Sequence, residues 1–211
     1  LRLEYADGTV EWVGTDPDWR TREGPIVFSS IYGGEDYDAR RNPTGWDLPG
    51  YEARDWTPAV VVDDASLATL KGHSRSAEPV RPIETRAPTR VRELGPGAVL
   101  YDFGQNASFM PRLVVSGPAG STVRLTPGEL VQADGTIHRG TMGGAERGSA
   151  WWQYTKSTDG AETWFPQFYY IGSRYVYAEL LPSEPAGGDR ARPRIDRLEM
   201  VIVHSAARPV G

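Results

Sequence analysis

Turn-forming residues recur through this chain at short intervals, and that spacing restricts what it can fold into. Its 211 residues include 24 glycines and 17 prolines. The segments between them are short runs rich in Val, Ile, Thr and aromatic residues, brief for helices and alternating with the period of two that marks half-buried strands. Ala6-Asp-Gly-Thr9, with Leu1, Leu3 and Tyr5 before it and Val10 and Trp12 after it, reads as a tight β-hairpin; Ala133-Asp-Gly-Thr136 repeats the device. The pattern predicts an all-β protein: two antiparallel β-sandwich or jelly-roll units joined by a Pro-rich linker.

In chain order, strands are expected after the first hairpin at 26–31, 59–62, 99–103, 112–116, 122–126, 151–155, 163–168, 174–181 and 194–204, with one helical turn at 52–56. The run 63–89, punctuated by Pro79, Pro82 and Pro88, reads as an extended linker in which His73 stands alone. These features divide the chain into a first unit over 1–82, a second over 83–182, and a spacer with a final strand over 183–211. The first residues already read as a strand, so the chain is expected to be an internal piece of a longer protein.

The densest polar chemistry lies in Ile31-Tyr-Gly-Gly-Glu-Asp-Tyr-Asp-Ala-Arg-Arg41. Two glycines break an apolar run; Glu35, Asp36 and Asp38 follow, interleaved with tyrosines and closed by two arginines. If the segment is extended, Asp36 and Asp38 share one face, and Glu35 and Tyr37 the other. Oxygen-rich strips suit a hard cation such as calcium, at Asp36 and Asp38, or the hydroxyls of a sugar. They also serve structure alone, when acids pair with neighbouring arginines and tie a loop down. Trp19, Trp46 and Trp56 lie in or beside turns, where a flat ring stacks on a sugar face or plugs a sandwich end. Trp46 is the nearest candidate to the strip. Between Trp151 and Tyr177 ten aromatic residues accumulate, which implies an aromatic core, an exposed platform, or both.

Several classes are excluded or disfavoured. The net charge is −5 with acids and bases well mixed, so no basic footprint for nucleic acid or an anionic membrane is present. There is no cysteine, which removes disulfides and thiol chemistry and fits either a cytoplasmic or an exported protein. No apolar run approaches bilayer length. The glycine-rich stretch 140–148 lacks the Lys-Ser/Thr and the strand-to-helix setting of a phosphate loop.

Taken in order, Tyr5-Ala-Asp-Gly-Thr9, Thr15-Asp-Pro-Asp-Trp-Arg20, Ile31-Tyr-Gly-Gly-Glu-Asp-Tyr-Asp-Ala-Arg40, Gly45-Trp46 with Asp55-Trp56, Tyr101-Asp-Phe-Gly-Gln-Asn106, Gly117-Pro-Ala-Gly120, Asp134-Gly-Thr136, Tyr170 with Gly172 and Arg174-Tyr-Val176, and Val203-His-Ser205 resemble the non-catalytic β-region of bacterial α-L-rhamnosidases. The resemblance spans nearly the whole chain; after Asn106 the family continues with a glycine and an aromatic, where this chain has Ala107-Ser-Phe109. It implies a jelly-roll module that in some members binds rhamnose through calcium, then a concanavalin-like sandwich. It also implies a catalytic (α/α)6 barrel as partner, carried by the rest of the parent chain, so no catalytic residue transfers to this sequence. The expected function is that of an accessory region supporting the barrel of a glycoside hydrolase, with Glu35, Asp36, Asp38 and Trp46 as candidate sugar contacts and calcium as the candidate cofactor. The alternative is a purely structural scaffold between domains with no ligand of its own.

Overall fold

The computed structural model describes residues 1–62, 78–141, 150–183 and 191–207. The expectations placed on His73, on most of the linker, on 142–148 of the glycine-rich stretch and on most of the spacer after Pro182 fall outside them. Among the described residues fourteen strands and two short 3-10 turns make up the regular structure. No helix among the described residues is long and apolar enough to cross a membrane. The all-β expectation holds.

The chain divides by contacts into two compact units, and the division does not follow sequence order. One comprises Leu1–Gly24 and Pro43–Ser74; the other comprises Pro25–Asn42 and Arg75–Gly211. In the first unit β1 (Arg2–Glu4) pairs antiparallel with β2 (Val10–Trp12) across the turn expected at Asp7-Gly8, where Thr9 N–H donates to Asp7 Oδ1 at 2.9 Å. β3 (Arg20–Thr21) and β6 (Thr57–Pro58) form a second small pair. Two local expectations fail here. Residues 52–56 make a turn, not a helical one, with Trp56 N–H on the Ala53 carbonyl at 3.2 Å. Residues 59–62 form no buried strand: pairing ends at Pro58, and Val60, Val61 and Val62 are exposed. A β-branched run becomes a strand only where a partner edge receives it.

The second unit is built on one ten-stranded sheet with the order β4-β5-β11-β10-β13-β9-β14-β7, and β8 and β12 also pair with β9. Its strands are β4 (Ile26–Ser30), β5 (Gly34–Asp38), β7 (Val80–Arg86), β8 (Arg90–Gly95), β9 (Ala98–Ser116), β10 (Thr122–Gly128), β11 (Trp151–Thr155), β12 (Glu162–Trp164), β13 (Ile171–Leu181) and β14 (Arg194–Ser205). Inward-facing residues at alternate positions, among them Phe109, Leu113, Val123, Leu125, Trp152, Tyr154, Val176 and Met200, form one buried cluster. The sheet is antiparallel except for one pair, β5 with β11. Parallel neighbours need a long crossover, and here the 112 residues between Asp38 and Trp151 supply it.

β9 is the spine. The sequence reads as two strands, 99–103 and 112–116, but they are one strand bent at Gly104, whose φ of +79° places it where a side chain is strained. Its partners change on both edges. β8 covers residues 98–102 and β14 covers 109–116 on one edge, while β13 covers 98–109 and β12 covers 113–115 on the other. Pro111, which has no N–H to donate, falls in the gap between the β13 and β12 pairings. At the bend Asp102 lies opposite Tyr175 and Ala107 opposite Ser173, so β9 bulges against Arg174. Arg174 Nε and Nη2 then fork onto Asp102 Oδ1 and Oδ2 at 2.7 and 2.8 Å, and Gly104 N–H donates to Asp102 Oδ1 at 2.7 Å. These bonds, Arg174 first, hold the Asp102 carboxyl below its ordinary value.

Two further expectations are corrected in this unit. The linker does not run extended to residue 89, because β7 joins the sheet beside β14 from Val80 onward. β7 ends the sheet order, the position that tolerates Pro82. The strand expected over 163–168 is only β12, Glu162–Trp164, since Pro166 and the loop after it leave the ladder.

Lys156, fully buried at the start of the β11–β12 turn, donates to the Gly160 carbonyl at 2.7 Å and to Glu162 Oε2 at 3.1 Å. Glu162 Oε1 also accepts from the Ser157 and Thr158 hydroxyls at 2.7 and 2.9 Å. Removing one member of a buried, hydrogen-bonded pair strands the other. Lys156→Met is therefore expected to lower unfolding stability by about 3–5 kcal/mol, measured by denaturant titration, whereas a loss near zero contradicts the assignment.

Candidate functional site

The acidic strip forms β5, and its alternation is as the sequence predicts. Gly34 makes its entry feasible. Its φ is +101°, and a Cβ there would lie 1.9 Å from the Trp151 carbonyl oxygen, so only glycine lets the strand approach β11 this closely. From that point the two faces of β5 carry different work.

Glu35 points inward and is fully buried. Its carboxylate accepts from Gln167 N–H at 2.9 and 3.1 Å and from Phe168 N–H at 2.7 Å, securing a loop 132 residues further along the chain. Burial pushes its carboxyl above the ordinary value, against the opposing pull of the Phe168, Gln167 and Tyr169 amides. Beside it Tyr37 stacks on Tyr154 at 5.7 Å, and Tyr154 stacks on Trp164 at 5.3 Å. Phe168 and Tyr170, in and just after the secured loop, are exposed, while Tyr169 between them is buried with its carbonyl accepting from Trp152 Nε1 at 2.9 Å. The aromatic run thus supplies both core and surface.

Asp36 and Asp38 point outward. Asp36 Oδ1 accepts from Trp151 Nε1 at 2.9 Å, and burial raises its carboxyl despite that bond and the nearby Arg124. Arg124 lies 3.8 Å from the Trp151 ring centroid and donates to Gln153 Oε1 at 2.9 and 3.0 Å. Asp38 is bonded on both oxygens by Arg40, Nε to Oδ1 at 2.8 Å and Nη2 to Oδ2 at 2.7 Å, and caps the 3-10 turn after it by accepting from Arg40 N–H at 3.1 Å. That pairing lowers its carboxyl.

This donor set does not fit a calcium ion. Both oxygens of Asp38 are committed to a guanidinium and one oxygen of Asp36 to an indole. Among the described residues no three His, Cys, Asp or Glu side chains converge as a metal site requires. Trp46 is 54% exposed and belongs to the other compact unit, so the four candidate sugar contacts are not gathered by one body. The sequence places Trp151 only in the aromatic run and gives no sign that it, Arg124 and Gln153 meet the strip, a link that exists only through the parallel pairing.

Residues 1–84 match the family model for the α-L-rhamnosidase N-terminal domain, and residues 92–201 that for the bacterial α-L-rhamnosidase concanavalin-like domain. The chain belongs to the bacterial α-L-rhamnosidase family. An α-L-rhamnosidase of Streptomyces avermitilis is 38% identical over 190 residues, which cover 88% of this chain and 18% of that protein. The crystal structure of a Streptomyces avermitilis α-L-rhamnosidase complexed with L-rhamnose superposes with a TM-score of 0.81 at 34% identity, covering 98% of this chain and 19% of that one. An α-L-rhamnosidase structure from Dictyoglumus thermophilum gives 0.80 at 30% identity over 97% of this chain and 22% of that one. This rhamnosidase-family chain thus spans about a fifth of the length of these relatives. The family matches follow the sequence order, whereas the contacts move Pro25–Asn42 into the second body.

If the strip's carboxylates are structural, calcium leaves the melting temperature of the chain unchanged. Glu35→Gln, which turns an NH2 toward two backbone N–H groups, is expected to cost about 1–3 kcal/mol. A calcium-dependent rise in melting temperature that disappears in Asp36→Ala would contradict this assignment.

Proposed function

We propose that the chain is the accessory β-region of an α-L-rhamnosidase-like glycoside hydrolase. It supports a catalytic (α/α)6 barrel supplied by the rest of the parent chain, which acts on rhamnose-containing glycosides. One observation carries this reading: two rhamnosidase modules fill the chain in order while it spans only about a fifth of its relatives' length. The bonding of Glu35 and Asp38 favours a scaffold over direct recognition of rhamnose at the strip, because their oxygens already hold Gln167, Phe168 and Arg40. The exposed Phe168 and Tyr170 give such a scaffold apolar surface to present. In this reading the chain alone does not hydrolyse rhamnosides, since the acid and base of the reaction lie in the barrel.

The test uses the parent protein beside this chain. The parent is expected to carry a long helical region and to release L-rhamnose from 4-nitrophenyl α-L-rhamnopyranoside, while the isolated chain shows no turnover. A parent with no helical domain, or hydrolysis by this chain alone, would overturn the reading.

A further inference from the structure

A hollow of about 170 Å³ opens on the outer face of the second unit, lined by Arg90 and Arg92 of β8, Leu100 and Asp102 of β9, Tyr175 of β13, and Val131. The ladder aligns its parts. Asp102 lies between Arg90 on one neighbouring strand and Tyr175 on the other, and Leu100 lies opposite Arg92. Two residues apart on one strand, Arg90 and Arg92 share a face at a spacing of roughly 7 Å, so their long side chains can converge on one group. The loop after β10 walls the hollow: Gly135, at a φ of +91°, leaves no room for a Cβ beside Arg92 Nη2.

The charge balance of this hollow differs from that of the whole chain. Asp102, its one acid, is already forked by Arg174, and Asp134 on the nearby turn is held by Thr136 N–H and Oγ1 at 2.9 and 2.8 Å. Among the described residues no hydrogen bond or ion pair engages the guanidinium of Arg90 or Arg92. Arg90 also acts on Asp102 through its charge, and Arg174 sits 4.9 Å from the Tyr175 ring centroid; Arg90, Arg92 and Arg174 together still outnumber the one acid around this small concavity, on a protein of net charge −5. A free guanidinium presents a planar fork that matches a carboxylate, and a tyrosine face accepts the C–H side of a pyranose. The volume is below the roughly 300–1,000 Å³ of pockets that enclose drug-sized ligands, which suits one ring and not a chain of them.

We propose that this hollow is a subsite for an acidic sugar, in which Arg90 and Arg92 hold the carboxylate of a uronic acid residue and Tyr175 lies against its ring. The inference rests on the carbohydrate-active reading above and adds a charged ligand class to it. On a glycan carrying both rhamnose and uronic acid, the contact would hold the acidic unit away from the barrel that cleaves the rhamnoside.

Calorimetric titration of the chain with methyl β-D-glucuronide, methyl β-D-glucoside and sodium sulfate separates the outcomes. Saturable binding is expected for the glucuronide alone, weakening as salt is raised. Arg92→Ala and Arg90→Ala, both on exposed side chains, are expected to lower affinity about tenfold or more with an unchanged circular dichroism spectrum. Absence of binding, equal binding of the glucoside, sulfate binding as tight as the glucuronide, or unchanged affinity in both variants overturns the proposal. Hydrolysis of a neutral rhamnoside by the parent protein depends on the accessory reading and not on this hollow, so it tells the two failures apart.

Discussion

The second unit depends on one strand that is paired along both edges while its partners change. β9 serves β8 and then β14 on one side, β13 and then β12 on the other. Such a handover requires the strand to bend without losing its place in the ladder. Asp102 resolves this, because one carboxylate accepts from Gly104 N–H and from both ends of the Arg174 fork. The bulge is thereby fixed on both strands by a single side chain. Because that carboxyl is held below its ordinary value, the contribution is present above the unfolded Asp range and is lost as pH falls through the lowered value.

The acidic strip obeys the same logic from further away. Pro25–Asn42 leaves its sequence neighbours and joins the sheet of the second unit through β5. Glu35 then takes two backbone N–H groups that a loop would otherwise bury without partners. A buried carboxylate is expensive to desolvate, so its gain lies less in net stability than in specifying one register and one loop position. The strip that suits a ligand along the sequence also bonds, in space, to segments far along the chain.

What the sequence made legible was local. Turns at Asp7-Gly8 and Asp134-Gly135 follow from the preference of Asx-Gly pairs for tight reversals, and alternation placed Glu35 and Asp36 on opposite faces. The bonds that decide the strip's role connect residues 132 and 115 positions apart, Glu35 with Gln167 and Asp36 with Trp151. No local pattern encodes those partners. Similarly, Val60 to Val62 have strand propensity but no receiving edge, and Gly104 separates two apparent strands that are one. A signal for the Asp102 site was present in the Asp-Phe-Gly spacing, since an Asp side chain often bonds the backbone two residues on; Arg174 was not foreseeable from it.

The claim that Pro25–Asn42 is an integral part of the second unit's sheet is tested most directly by fragment complementation. A chain comprising Arg75–Gly211 is titrated with a synthetic peptide spanning Pro25–Asn42 while its thermal unfolding is followed. Saturable binding that raises the melting temperature, and that Glu35→Gln in the peptide weakens, is the predicted result. A fragment that melts at the same temperature with and without the peptide would contradict the account.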